Sequence, residues 1–283
     1  MLLFTPKRKN WPVPARALVA GLVAGLSLAG PGQLRAQVNV SGKPGLLYIP
    51  SARLVGDGTV WAGATYNPLP NAFRFNTAVA RSSETVYYVN LVVLPRLEVN
   101  VNLLIPNATV PIAARGIGDR QLDVKWLCLT ERGSRPAVAL IVSAPFGIDN
   151  SLETYALAVT KTWPLGRAWQ VEGTAGLGSP YYIYRDQKND RNSSIFSNFS
   201  LRDKRLKNNR YLSGPFGGLA LRYRQIGGLL VEWDSQHLNV GAYATVAKHW
   251  TVQGGWLSSR AITFGTSYAF SIQKAPQRPL PQP

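Results

Sequence analysis

The chain has 283 residues, with 31 Lys+Arg against 14 Asp+Glu, a formal charge of +17, 46% hydrophobic residues, 26 Gly, two His and one Cys. That apolar content excludes an intrinsically disordered chain. A single Cys (Cys128) excludes a disulfide framework or a Cys-rich zinc site, and two His leave little for a His-based metal centre.

Residues 1–36 read as a secretory signal peptide rather than as structure. Lys7, Arg8, Lys9 and Arg16 precede the apolar run Ala17–Ala29, Gly30-Pro31-Gly32 breaks it, and Ala36 is a small residue at the cleavage point. Cleavage there leaves 26 basic against 14 acidic residues. For an exported chain this charge predicts anionic lipid head groups or anionic polysaccharide as partners, not nucleic acid. No apolar stretch of ~18 residues follows, which excludes a bundle of transmembrane helices.

Residues 37–58 form an N-terminal segment in which Pro50 and Asp57-Gly58 predict a shaped loop leading into the first strand. From 59 to 274 the signal is alternation. Leu97, Val99, Val101 and Leu103 oppose Glu98, Asn100 and Asn102. Leu122, Val124, Trp126 and Cys128 oppose Gln121, Asp123 and Lys125. Leu219, Leu221 and Tyr223 oppose Arg222 and Arg224; Leu229, Val231 and Trp233 oppose Glu232 and Asp234. Residues 238–246 and 262–272 alternate in the same way, and weaker segments fall near 59–66, 85–94, 137–144, 154–163, 169–177 and 250–257.

A soluble sandwich or a transmembrane barrel accepts this pattern. Strands of ~8–11 residues, aromatics near strand ends (Trp61, Tyr66, Trp163, Trp169, Trp250, Trp256) and alternating loop lengths favour the barrel. Short connections at 95–96, 129–135, 164–168, 225–228 and 248–249 interleave with long ones at 105–120, 145–153 and 178–211; the brief connections at 235–237 and 257–261, on the long-loop side, are the exceptions. The expectation is an all-β, antiparallel transmembrane β-barrel of 12 strands, with 14 as the next even count. The short turns would be periplasmic and the long loops external. On the lipid-facing positions Val101, Val124 and Val240, Arg should be costly; at Asn100 or Asn239, facing the lumen, it should be much milder.

Residues 178–211 read as a long basic loop. Arg202, Lys204, Arg205 and Lys207 are its candidates for contact with lipopolysaccharide phosphates or an acidic glycan, against the plainer reading of a solvated loop. Residues 275–283 read as a Pro-rich tail. No catalytic, cofactor or metal site is expected: Asp234, Ser235 and His237 are neighbours in sequence, but their spacing matches no nucleophile–base arrangement.

Two motifs carry a family resemblance. The first is Gly45-Leu46-Leu47-Tyr48-Ile49-Pro50-Ser51-Ala52-Arg53 followed by Asp57-Gly58. The second is Asp119-Arg120-Gln121-Leu122-Asp123-Val124-Lys125, with Leu129, Glu131 and Pro136 after it. Glu153, Tyr155, Lys161 and Gly176-Leu177-Gly178 extend them. Over roughly residues 41–178 the chain resembles the YjbH family of outer-membrane proteins associated with exopolysaccharide or capsule biosynthesis. The resemblance implies a non-enzymatic protein in the outer membrane of a Gram-negative bacterium. Its partners would be outer-membrane lipids and lipopolysaccharide, with an exopolysaccharide and its secretion proteins as further candidates. A general porin-like channel and a secreted glycan-binding β-sandwich are the alternatives. The motif positions Pro50, Ser51, Arg53, Asp119, Arg120, Asp123, Lys125, Glu131, Glu153 and Lys161 are the candidate site residues. Asp123 and Lys125 share the polar face of one strand and should each pair across strands, with Arg120, Arg222, Glu98 or Glu131. Those pairs would form a charged network that stiffens or plugs the lumen, or else lines a path for a sugar polymer.

Overall fold

The computed structural model describes residues 37–54, 56, 58–75, 81–109, 119–145, 152–185, 198–207, 209–224 and 226–271. Residues 1–36, read above as a signal peptide, residues 275–283, read as a Pro-rich tail, Asp57 and the middle of the 178–211 stretch lie outside them.

Among the described residues fourteen strands follow in chain order: β1 (Thr59–Asn67), β2 (Glu84–Leu94), β3 (Leu97–Pro106), β4 (Asp119–Leu129), β5 (Ala137–Ser143), β6 (Tyr155–Leu165), β7 (Trp169–Gly178), β8 (Tyr181–Arg185), β9 (Phe199–Asp203), β10 (Gly214–Tyr223), β11 (Gly227–Trp233), β12 (Leu238–Val246), β13 (Trp250–Leu257) and β14 (Ala261–Ser271). Twelve of them close an antiparallel barrel, each paired with its neighbour in sequence except where β7 pairs with β10 across the β8–β9 hairpin. Closure comes from β1 against β14, in register from Thr59↔Ser271 to Tyr66↔Phe264.

Alternation decides the two faces because successive side chains point to opposite sides of the wall. Val101, Leu122, Leu157, Leu219, Leu229, Val240 and Val252 point outward and are exposed, while Asn100, Gln121, Asp123, Glu172, Glu232, Asn239 and Thr251 point inward and are buried. An apolar outer surface and a polar interior are the inverse of a soluble protein, so this is a transmembrane β-barrel. A ten-residue strand tilted by ~45° spans roughly 25 Å, the height of the apolar band such barrels carry. Trp163, Trp169, Trp250 and Trp256 stand exposed at strand ends, where an interfacial girdle belongs.

Four local expectations are corrected. Trp61 is not a girdle residue: it faces inward and is buried with Val38, Tyr88 and Ala269. Arg224 is not on the lumen face but sits exposed in the β10–β11 turn with φ +48°. Cys128 lies at a register shift between Leu127 and Leu129, which interrupts the alternation that placed it on the lipid face. The 178–211 stretch is not all loop, since the β8–β9 hairpin and a short 3-10 turn (Lys204–Leu206) rise from it. Its Asn, Ser and charged residues mask strands that pair only with each other.

Candidate functional site

The polar interior is not an open lumen. The N-terminal segment 37–53, expected as a loop leading to β1, enters the barrel and fills it. Val38, Val40, Leu46, Leu47, Tyr48, Ile49 and Ala52 are each at most 2% exposed, and Asn39, Ser41, Lys43 and Ser51 are equally buried. The segment folds back on itself through the bridges Val38↔Pro44 and Gly45↔Pro50, with Ser51 N and Oγ both donating to Pro44 O (2.8 and 3.1 Å). Both of its ends lie at the short-turn end of the barrel, and its tip reaches toward the long-loop end. It is a re-entrant plug.

Three inward carboxylates hold this plug at base, middle and tip. At the base, Glu172 on β7 pairs with Arg53 and, at 2.9 Å, with Arg222 of β10. Arg222 in turn donates to Gln37 Oε1 (3.5 Å), so one carboxylate ties down both ends of the plug. In the middle, Asp123 on β4 forms an ion pair with Lys43, and both side chains are 1% exposed. At the tip, Glu232 on β11 accepts the backbone N–H groups of Leu47 (3.0 Å), Tyr48 (2.7 Å) and Ile49 (3.3 Å), with Asn239 donating to it at 3.1 Å. Successive amides converging on one carboxylate satisfy the turn's donors where no water can.

Apolar contacts complete the seat. Leu46, Leu47, Tyr48 and Ile49 join Phe73, Leu152, Tyr211, Leu212, Phe216 and Leu230 in one core cluster. Tyr211 Oη donates to Tyr48 O at 2.9 Å, and Tyr48 Oη donates to Asn67. Fully burying each of those plug side chains is worth ~1.5–3 kcal/mol, so the plug is part of the folded core and not a loosely held strap. Wall and plug are cut to each other at glycines. A Cβ at Gly241 or Gly255, neighbours across β12 and β13, would stand 2.8 or 2.6 Å from Leu47 Cδ1. Gly42 has φ +84°, and a Cβ there would meet Tyr88 Cγ at 2.4 Å. Gly255→Ala should therefore lower the temperature at which the folded, heat-modifiable form is lost. Adding Leu47→Ala should recover part of that loss if the clash with Leu47 is its cause, and an unchanged deficit in the double variant would exclude this packing.

The motif positions divide accordingly. Pro50, Ser51 and Arg53 belong to the plug. Asp119 faces inward and is buried at the long-loop end, whereas Arg120 points outward and is exposed, so it partners neither Asp123 nor Lys125. Lys125 Nζ lies 2.9 Å from Glu98 on β3, both buried. Glu131 is in the β4–β5 turn and pairs with Lys161 (3.0 Å) while accepting from Thr162 N (3.0 Å). Burial raises its pKa, but these hydrogen bonds and the Lys161 charge outweigh it and hold the carboxyl below its ordinary value. Glu153 accepts from Tyr155 Oη (2.5 Å) and Ile183 N (2.6 Å) at the long-loop end, and burial pushes its pKa up.

Asp123's partner was not among the four expected, because Lys43 lies 80 positions away in a segment read as a loop. A signal was there: Pro44 and Pro50 bracket an apolar run that cannot join a ladder. Such a run needs a core, and the core of a barrel is its lumen. Among the loop candidates, Lys204 is not available to a ligand. It is buried, donates to Tyr211 O at 2.9 Å, and burial lowers its pKa to about 8. Arg202 and Arg205 are exposed, while Lys207 is half-buried with its ammonium over the Tyr182 ring at 5.1 Å.

No curated protein matches the chain. Among solved structures it is similar to an outer membrane channel from Pseudomonas putida F1, at 14% identity and a TM-score of 0.38, over 77% of this chain and 97% of that one. The family described as exopolysaccharide biosynthesis protein YbjH matches residues 37–282, so the likeness extends past residue 178 through the rest of the barrel, and the chain belongs to this YjbH family.

Proposed function

We propose that this chain is an outer-membrane accessory of exopolysaccharide biosynthesis or secretion, acting as a plugged, non-conducting barrel and not as an enzyme or an open pore. The observation that carries the reading is the plug. A segment fastened by Glu172, Asp123 and Glu232 occupies the middle of the barrel, and its side chains and the inward wall residues they meet are buried among the described residues, which argues against a wide path for a sugar chain. The family assignment supplies the exopolysaccharide context, and the apolar outer band supports the outer membrane as the location. With the short turns periplasmic, the plug enters from the periplasm and the β8–β9 hairpin stands outside the cell.

The non-enzymatic reading rests on what the one candidate triad does. Asp234 caps its own turn, accepting from Gln236 N (3.0 Å), His237 N (2.8 Å) and Asn239 (2.9 Å), while Ser235 Oγ donates to Gly214 O at 3.3 Å and not to His237. A nucleophile turned away from its base has no means of activation.

The test joins genetics with electrophysiology. Cells lacking the protein should lose surface polymer and recover it with the wild-type gene, and the protein should fractionate with the outer membrane. Purified protein in planar bilayers should show no steady conductance. Loss of polymer together with a stable porin-like current would replace the accessory role with a conduit; a stable current without any polymer phenotype would favour a general porin.

A further inference from the structure

The plug tip has a second fastening, from the long-loop end. Tyr211, just before β10, is 3% exposed and inserts its side chain into the plug. Its Oη donates to Tyr48 O (2.9 Å) and accepts from Asn39 Nδ2 (3.2 Å), so one phenol ties the tip to the first residues of the plug. Its ring stands edge-on to Phe73, with centroids 5.1 Å apart. Leu212 follows it into the same core cluster with φ +46°, a left-handed conformation that costs a leucine free energy and persists because the packing around it is tight. A Cβ at Gly178, the last residue of β7, would overlap Leu212 O. The second glycine of Gly176-Leu177-Gly178 is therefore what lets this stretch cross the rim of the wall.

Tyr211 is itself held from the hairpin. Lys204, in the 3-10 turn after β9, is buried; its Nζ donates to Tyr211 O (2.9 Å) and its N to Pro180 O (2.8 Å), just before β8. Burying an ammonium against a neutral carbonyl is costly, so this closure is held by a small net free energy. The base of the plug is fastened more firmly, because Arg53 and Arg222 both pair with Glu172 and the chain continues from there into β1. The tip residues Leu46–Ile49 carry no charge and are held by hydrogen bonds and packing alone. The hairpin strands pair only with each other, so they can shift without opening the barrel ladder.

We propose that Tyr211 and Lys204 form a latch that couples the β8–β9 hairpin to the plug. Displacing the base of the hairpin withdraws Lys204 from Tyr211 O, Tyr211 leaves Tyr48 O, and the tip loosens while the base stays anchored at Glu172. The proposal rests on the plugged barrel given under Proposed function and adds the end from which the plug is released, which is the long-loop end.

The experiment is hydrogen exchange on the full chain purified in detergent. Lys204→Met removes the ammonium, and Tyr211→Phe removes the hydroxyl but keeps the ring and its packing. Arg202→Gln is the control, since that exposed guanidinium lies 3.6 Å from the Tyr184 ring centroid and touches neither latch residue. Both latch variants should speed exchange of the Leu47, Tyr48 and Ile49 amides roughly tenfold, the worth of one buried hydrogen bond, with residues 122–128 of β4 unchanged. A wild-type rate at the tip in either latch variant overturns the proposal. So does an equal rise with Arg202→Gln, or a rise spread over 122–128. If Lys204→Met does not reach the heat-modifiable form, Tyr211→Phe decides alone. The two levels of failure stay separate: a steady bilayer current from the wild-type protein removes the plugged barrel and the latch with it, whereas a silent wild type with unchanged tip exchange removes the latch alone.

Discussion

Asp123→Ala should be among the most damaging single substitutions in this protein, costing about 3–5 kcal/mol of stability. It strands Lys43 inside the barrel, where the ammonium is 1% exposed and is left with Ser41 Oγ at 2.9 Å as its neutral partner. Asp123→Asn should do nearly the same harm, because the lost quantity is charge and not shape. Asp123 also accepts from Ser143 Oγ (2.5 Å) and Asn102 Nδ2 (3.5 Å), so Lys43→Met combined with Asp123→Leu should recover the part of the loss that belongs to the ion pair, because two apolar groups remove both charge-desolvation penalties at once. The measurement is the folded, heat-modifiable fraction after refolding across a urea series. A double variant no better than Asp123→Ala would show that the damage does not come from the uncompensated lysine.

The second large effect separates the two faces of the wall by its dependence on depth. Val101, in the middle of β3, is 48% exposed on the outer surface, and Arg there should cost ~2–4 kcal/mol in a bilayer. Ile105, near the end of the same strand and also outward, should tolerate Arg at ~0–1 kcal/mol because the side chain reaches the interface. The inward neighbour Asn100 is not the mild control that alternation alone suggests. It is 2% exposed and accepts from Asn102 at 3.1 Å in an interior that the plug already fills. Arg at 100 must displace side chains that are already buried there and should cost at least ~1–3 kcal/mol through overpacking. The same correction applies to Asn239, which is fully buried and tied to Glu232 and Asp234. Refolding into phosphatidylcholine vesicles measures all three variants on one scale. Equal penalties at 101 and 105 would mean that the outer face does not sit in lipid.

What could be read from the sequence and what could not follows the range of the interaction. The twelve barrel strands and most of their inward and outward residues, Trp61 and Arg224 aside, are legible because each rests on neighbours one or two positions apart. Leu122 and Asp123 must point to opposite faces whatever else the chain does, and apolar residues on the larger, outer circumference imply lipid. The Lys125–Glu98 contact is legible in part: both residues face inward on consecutive strands, which makes Glu98 a candidate, while the register that sets Glu98 opposite Lys125 belongs to the closed wall. The plug is a different kind of fact. Nothing local to Gly45–Arg53 says that its amides will meet Glu232, that Lys43 will choose Asp123 over any other carboxylate, or that Leu47 will settle against Gly241 and Gly255. Those choices exist only once the barrel has closed and its lumen has become the one place where an apolar, proline-bracketed run can leave water. The β8–β9 hairpin was hidden for a related reason, since its strands pair with each other outside the barrel and lack the length and pattern of a membrane strand. By itself the sequence determined a barrel and its family, because two-residue periodicity and local motifs suffice for both. Only the tertiary structure decided that the barrel is filled, because burial of a segment depends on surfaces brought together from residues as much as 231 positions apart, Val38 and Ala269.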